Sequence, residues 1–188
     1  MNRSERKQLA RSLERRVLAG ERKADIVGEA AADGDDLQLL ARVLAVTPTP
    51  ASRRRCRWAN RALVILLALA ASGEVAGLLA YDHGVWLFLD LLFPVLFLEA
   101  LYLVARYRAR GYTLAAGVAT LRLGWWALSV SVHHLVRAPG ALVASQIAVC
   151  LAIGVLALLV QHRLLPATRA WTSLAPKTDA EGRLVLEE

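Results

Sequence analysis

The sequence of 188 residues is 56% hydrophobic, has a mean hydropathy of +0.42 and carries a formal net charge of +7. From residue 62 onwards its apolar residues form long blocks, which excludes an ordinary soluble domain and indicates a membrane protein. The positive charge does not point to nucleic acid, because the basic residues cluster at the edges of those blocks.

Residues 1–46 are predicted to form a small cytoplasmic module of three short amphipathic helices. Their apolar positions recur at helical spacing, and the first helix should end at Gly20. The positions are Leu9, Leu13 and Val17 in the first helix, Ile26, Val27 and Ala30 in the second, and Leu37, Leu40, Val43 and Leu44 in the third. A core this small is marginal, so we expect the module to lean on the membrane domain, a second copy or a partner.

The segment 47–61 is predicted to be a juxtamembrane linker rich in Pro and Arg. It starts with Thr-Pro-Thr-Pro, and neither proline can continue a helix. Five arginines follow and are predicted to contact anionic lipid, each contributing about 1 kcal/mol near the surface. These are Arg53, Arg54, Arg55, Arg57 and Arg61. No apolar segment precedes them, so we expect no cleavable signal peptide and an uncleaved first span.

Four membrane spans are predicted within a transmembrane domain of residues 62–162. They cover about residues 62–81, 85–105, 112–133 and 140–161, each near the 20 residues that a bilayer core requires. The segment before the first span and the loop 106–110 are rich in Arg, so both termini, including a tail of residues 163–188, should be cytoplasmic. The fold class is therefore all-α, a polytopic four-helix bundle preceded by the helical module, in a bacterial inner membrane.

Ionisable residues within the spans are the main candidates for a function. Glu74, Asp90, Glu99 and Arg122 are costly in hydrocarbon, so they should face one another or a wet cavity. Pro94 follows Asp90 by four residues and opens a kink beside that acid, whereas Glu99 lies on roughly the opposite side of the helix. Three further polar residues, predicted to extend an inward ion pathway, are Ser129, His133 and Gln146.

Small residues within the spans predict close packing between helices. Gly73 and Gly77 flank Glu74 as a GxxxG pair, and Gly117 and Gly124 belong to a small-residue face on the third span. The six residues 72–77, Ser-Gly-Glu-Val-Ala-Gly, resemble the acidic first-span element of small multidrug-resistance transporters. The resemblance implies a transport role for Glu74, but it covers six residues, and the cytoplasmic head argues against membership.

Two interpretations of the buried charges remain open from the sequence. In the first, Arg122 pairs with Glu74 or Glu99 to fix helix register, and the remaining acid is neutral or near water. In the second, Glu74 or Asp90 is a proton or cation site with Arg122 as its counter-ion.

Other chemistries find little support in the sequence. Asp82, His83, His133 and His134 map to one membrane edge, but their spacing fits no established metal motif, so we expect no metal and no cofactor. No hydrolase, Walker A or dinucleotide-binding motif occurs, and acids around residues 33–36 oppose DNA binding. Two cysteines at different depths predict unpaired thiols.

The sequence therefore favours a non-enzymatic accessory, regulatory or assembly subunit that acts through its cytoplasmic module. Its expected partners are the lipid bilayer and either another protein or further copies of itself, and no nucleic acid. The alternative is a small oligomeric proton- or cation-linked transporter or channel that uses the intramembrane carboxylates.

Overall fold

A computed structural model describes residues 3–32, 37–80, 87–133, 140–166, 168 and 176. Within these ranges, the structure describes the backbone alone at 3, 6, 7, 30–32, 37–39, 80, 87–89, 129–133 and 140–143. The described chain is all-α, as predicted. Its seven helices are α1 (Arg3–Ala19), α2 (Lys23–Ala32), α3 (Leu37–Val46), α4 (Pro50–Ala80), α5 (Leu87–Ala105), α6 (Ala109–His133) and α7 (Gly140–Leu164).

The chain divides into two compact units. Unit 1 comprises Met1–Arg57 and Gln161–Glu188, and unit 2 comprises Trp58–Val160. The boundaries fall inside α4 and α7, because each of these long helices contributes to both units. The four-part division drawn from the sequence remains a prediction.

Unit 1 contains the three predicted amphipathic helices around a shared apolar core. Its buried members are Leu13, Val17, Ile26, Leu40 and Leu44, with Leu9, Val27 and Val43 packed against them. The first helix ends at Gly20 as predicted, because Gly20 adopts a φ of +97° that closes the last turn. The amides of Gly20 and Glu21 donate to the carbonyls of Val17 and Arg16, which is a Schellman C-cap.

The predicted linker is helical from Pro50 onwards. Thr49 caps α4, since its Oγ1 accepts a hydrogen bond from the amide of Ser52 at 3.2 Å. Pro50 then occupies the first helical position, where the missing N–H and the fixed φ are favourable. The interruption between α3 and α4 is thus confined to residues 47–49. The arginines that follow lie on the first turns of α4.

In unit 2, α5 and α6 form a tight antiparallel hairpin. Tyr107 adopts a φ of 55° between the two helices, and its amide and that of Arg108 donate to the carbonyls of Val104 and Leu103. This is again a Schellman cap, here with a tyrosine in the left-handed position. Gly111 allows the close approach of α6, because an added Cβ would lie 2.7 Å from Cβ of Leu103.

Two of the described helices are long and apolar enough to cross a membrane. The qualifying segments are Pro50–Leu79 and Ala144–Leu164, which match the first and fourth predicted spans. The second and third predicted spans are helical as α5 and α6, but neither qualifies within the described residues. The described side chains of α5, at 90–105, cover less than the length of a membrane span, and α6 carries Arg110 and Arg122 among its apolar residues.

Candidate functional site: a buried arginine between two carboxylates

A charged cluster lies in the interior of unit 2, where α4, α5 and α6 contribute to it. Nε of Arg122 donates to Oε1 of Glu74 at 2.7 Å, and Nη1 of Arg122 lies 3.8 Å from Oδ1 of Asp90. The side chains of Arg122 and Glu74 are 10% and 9% exposed, and that of Asp90 is 16% exposed. The contact with Glu74 is thus a hydrogen-bonded ion pair, whereas that with Asp90 is a looser charge contact.

Aromatic rings complete the surroundings of the guanidinium. Cζ of Arg122 lies 4.7 Å from the ring centroid of Phe93 and 5.1 Å from that of Trp126. A planar, weakly hydrated guanidinium interacts favourably with aromatic faces at such distances, and more strongly where water is excluded. The arginine is therefore held by two carboxylates and two rings.

The helix period explains why these side chains converge. Each helix of unit 2 buries residues three or four positions apart, and the charged residues continue these stripes. The buried apolar residues include Leu63, Leu67 and Ala71 on α4, Phe93, Phe97, Ala100 and Val104 on α5, Tyr112, Ala115, Val118 and Ala119 on α6, and Cys150, Ile153, Ala157 and Val160 on α7. Glu74 follows Ala71 by three residues, and Arg122 follows Ala119 by three.

The sequence predicted that Arg122 pairs with Glu74 or Glu99, and the structure brings Arg122 and Glu74 together. Glu99 is not part of the cluster: it is exposed on α5, as its position nine residues after Asp90 indicated. Gln146 is partly buried, and its Oε1 is enclosed without a hydrogen-bond partner among the described residues. The side chains of Ser129 and His133 lie outside the described set, as do Asp82, His83 and His134.

The four predicted packing glycines do not meet another helix in the described chain. A Cβ added at Gly73, Gly77, Gly117 or Gly124 would find no atom within 4 Å, apart from its own helical surroundings. The approach that does require a glycine occurs at Gly111 instead, which the sequence pattern did not single out. Close packing at the other four positions remains a prediction that would need a second chain.

A second polar contact in unit 2, between Asn60 and Tyr112, has no counterpart among the sequence predictions. Tyr112 donates its hydroxyl to Oδ1 of Asn60 at 2.6 Å, and Nδ2 of Asn60 donates to the carbonyl of Val104 at 3.2 Å. Asn60 and Tyr112 are buried, so this contact ties α4 to both helices of the hairpin. Asn60 lies in the predicted linker, and its position one helical turn before the buried Leu63 was the available signal.

Cys150 of α7 is buried in unit 2. Cys56 is buried in unit 1, and both cysteines are free thiols, as predicted. The described residues contain no group of three or more His, Cys, Asp or Glu side chains that could hold a metal ion.

The predicted lipid-contacting arginines are mostly exposed on the first turns of α4. Arg54, Arg55, Arg57 and Arg61 are exposed, and Arg53 is half-buried. Cζ of Arg61 lies 5.2 Å from the ring centroid of Trp58, which is itself 76% exposed. At the same end of unit 2, Arg106 lies 4.5 Å from the ring of Tyr102. Exposed aromatic and basic residues at one level are typical of a membrane interface.

Comparison with protein-family models, with curated proteins and with solved structures finds no match to this chain.

Proposed function

We propose that this chain is a four-span protein of a bacterial cytoplasmic membrane that acts as a non-enzymatic accessory or assembly subunit. Its partner-binding part is the helical module in unit 1. The observation that carries the proposal is the separation of roles: unit 1 has its own apolar core, while the interior charges of unit 2 are paired with one another.

The outward faces of α5 and α6 support four spans rather than two. Large apolar side chains on these faces are about half exposed, as they are on α4 and α7. They include Leu91, Val95, Leu98 and Tyr102 on α5 and Leu121 and Leu128 on α6, beside Ile65 and Leu69 on α4 and Leu151, Val155 and Leu159 on α7. A soluble unit would leave this much apolar surface in water, whereas lipid would cover it.

The basic residues favour cytoplasmic termini. Arg61 and the turn between α5 and α6, with Arg106 and Arg108, lie at one end of unit 2, because Asn60 contacts both Val104 and Tyr112. In four-span topology these positions share the cytoplasmic side, in agreement with the positive-inside rule. The module that precedes α4 then lies in the cytoplasm, where soluble or membrane-bound partners can reach it.

A structural role for the cluster follows from how completely the guanidinium is surrounded. An arginine inside hydrocarbon is tolerated when carboxylates and aromatic rings compensate its charge. Such a pair also fixes the relative register of the helices that carry it. Neither task requires a substrate.

The proposal is tested by measuring the native mass of the complex that contains this chain after membranes are solubilised in a mild detergent. We expect the full chain to migrate in a complex larger than its own oligomer, and a chain lacking residues 1–46 to lose that complex. Glu74→Gln is the matched variant, since it alters the membrane unit alone and should keep the complex. Loss of the complex in Glu74→Gln, with the deletion unaffected, would contradict the role of the module.

A second candidate function is proton- or cation-linked transport, and one observation favours it. Two carboxylates, Glu74 and Asp90, share the single guanidinium of Arg122, so the cluster has an acid in excess if all three ionise. That acid could exchange a proton while Arg122 keeps its contact with the other.

Flux measurements in liposomes test the transport candidate. It predicts proton or cation flux in the wild type that is lost in folded Glu74→Gln or Asp90→Asn. Glu99→Gln is the matched control, because Glu99 lies outside the cluster. Flux that survives in both cluster variants would exclude the carboxylates as the transport site.

A further inference from the structure

We infer that the outward face of α5 around Glu99 binds a transmembrane helix of another protein that carries a Lys or Arg at the same depth. This face, called the Glu99 face, consists of Val95, Leu98, Glu99 and Tyr102. The inference rests on the proposed four-span topology and identifies the class of partner that an accessory subunit would have within the membrane.

Glu99 is an ionisable side chain on a face that is otherwise apolar. It is exposed, while Val95, Leu98 and Tyr102 around it are 59%, 53% and 52% exposed. No hydrogen bond, ion pair or ring contact of Glu99 occurs among the described residues. The contrast with Glu74 and Asp90 is clear, because both of those acids have Arg122 beside them.

The position of Glu99 along α5 places it within the hydrocarbon. It precedes Arg106, at the basic end of the helix, by seven residues, which corresponds to about 10 Å along the axis. It follows Leu87, at the other end of the helix, by twelve residues, or about 18 Å. A glutamate side chain is too short to cover either distance, in contrast to the long Lys and Arg side chains that extend to an interface.

An acid in this position calls for a basic partner. Ionisable residues within membranes pair with one another or face water, and a carboxylate opposite a Lys or Arg is the complementary pair. A hydrogen bond or ion pair of this kind also selects one helix among many apolar ones.

A second copy of this chain does not supply that cation. Within the four predicted spans, 62–81, 85–105, 112–133 and 140–161, the sequence contains a single Lys or Arg, which is Arg122; Arg137 belongs to the loop between the last two spans. Arg122 is buried and already held by Glu74 and Asp90. The Glu99 face therefore fits a different protein better than a homo-oligomer.

The test uses the full chain in liposomes and synthetic transmembrane peptides of about 22 apolar residues. One peptide carries a single Arg seven residues from its cytoplasmic end, and its control carries Leu there. Binding is measured by energy transfer between labelled peptide and labelled protein. We expect the Arg peptide to bind the wild type about tenfold more tightly than the Leu peptide.

Variants of the Glu99 face assign the effect to the carboxylate. Glu99→Gln should abolish the preference for the Arg peptide, and Glu99→Lys should transfer it to a peptide with Asp at that position. Leu121→Ala, on the outward face of α6, is the control and should keep the preference. Equal binding of the Arg and Leu peptides, or a preference that survives Glu99→Gln, would overturn the inference. Self-association that depends on Glu99 would also overturn it, because the partner would then be a second copy.

Thiol labelling separates failure of this inference from failure of the proposed topology. Glu99→Cys is introduced into a chain with Cys56→Ser and Cys150→Ala and exposed to a water-soluble maleimide from either side. If Glu99→Cys is protected from labelling on both sides and the Arg and Leu peptides bind equally, the proposed partner is rejected while the four-span topology stands. Labelling of Glu99→Cys would instead place this residue in water and reject the four-span topology on which the inference rests.

Discussion

Arg122 on α6 and Glu74 on α4 form a hydrogen-bonded ion pair of 2.7 Å inside an otherwise apolar unit. Asp90 on α5 lies 3.8 Å from the same guanidinium, so a single arginine links three helices. Loss of the cation should therefore destabilise the protein more than loss of one anion, because one cation compensates two anions.

Removal of the cation should be the more damaging change. Arg122→Gln leaves Glu74 and Asp90 near each other without compensation, and we expect the free energy of unfolding to fall by about 3–5 kcal/mol. Glu74→Gln should cost less, since Asp90 remains beside Arg122. Unfolding of the purified protein in mixed micelles with increasing SDS measures both values. Glu99→Gln is the control and should stay within about 0.5 kcal/mol of wild type. A loss for Arg122→Gln no larger than this control would contradict the structural role.

The contact between Asn60 and Tyr112 should stabilise unit 2 through its buried hydrogen bonds. Tyr112→Phe keeps the ring but leaves Oδ1 of Asn60 without the hydroxyl that donates to it at 2.6 Å. We expect a loss of about 1–3 kcal/mol in the same unfolding measurement, the usual cost of an unsatisfied buried acceptor. Tyr102→Phe removes an exposed hydroxyl and serves as the control. Equal stability of the two variants would show that the Asn60 contact contributes nothing.

Two glycines on α6 should respond in opposite ways to alanine. At Gly111 an added Cβ would lie 2.7 Å from both Cβ of Leu103 and the backbone nitrogen of Val104, so Gly111→Ala must push the hairpin apart. We expect it to destabilise by about 1–3 kcal/mol, the range typical of overpacking. Gly117→Ala meets no atom within 4 Å and should gain up to about 1 kcal/mol from helix propensity. A loss at Gly117 would indicate that this position packs against a second chain, as its small-residue face predicts.

Lys23 should make the stability of the helical module in unit 1 depend on pH. It is buried, its Nζ donates to the carbonyl of Leu44 at 2.6 Å, and burial lowers its pKa from 10.5 to about 8. Between these two pKa values the unfolded chain binds more protons than the folded one, so the free energy of unfolding rises with pH. Below pH 8 the cost of burying the charged amine is fully present and is on the order of 3 kcal/mol.

Urea unfolding of the full chain in micelles, followed by circular dichroism at pH 7 and pH 10, checks this dependence. Lys23→Met removes the titrating amine, and its stability relative to wild type should be more favourable at pH 7 than at pH 10. The comparison at each pH cancels the titration of all other groups. A difference between the two proteins that is the same at both pH values would contradict a lowered pKa of Lys23.

Apolar periodicity allowed much of the architecture to be predicted. The positions of Leu13, Val17 and Ile26 indicated the module, because residues three or four apart share one helical face. Depth alone left Glu74 and Glu99 as alternative partners of Arg122, and the structure pairs the arginine with Glu74.

Other features were not accessible from periodicity. The prolines predict a helix break that includes Pro50, whereas the cap at Thr49 makes Pro50 the first residue of α4. The contact between Asn60 and Tyr112 joins residues 52 positions apart, and no local pattern reports on such a pairing. Composition alone does not tell which face of α5 is buried, so the sequence predicts Glu99 among the inward charges, whereas the structure leaves it exposed.

The topology of the α5–α6 turn provides the most direct test of the central claim, that all four long helices cross the membrane. A single cysteine at Arg108, in a chain with Cys56→Ser and Cys150→Ala, is labelled by a membrane-impermeant maleimide in oriented vesicles, with a cysteine at Ser4 as the cytoplasmic reference. If α4, α5, α6 and α7 all span, Arg108→Cys is labelled from the same side as Ser4→Cys. If only α4 and α7 span, the α5–α6 turn lies on the opposite side, and labelling of Arg108→Cys from that side would contradict the account.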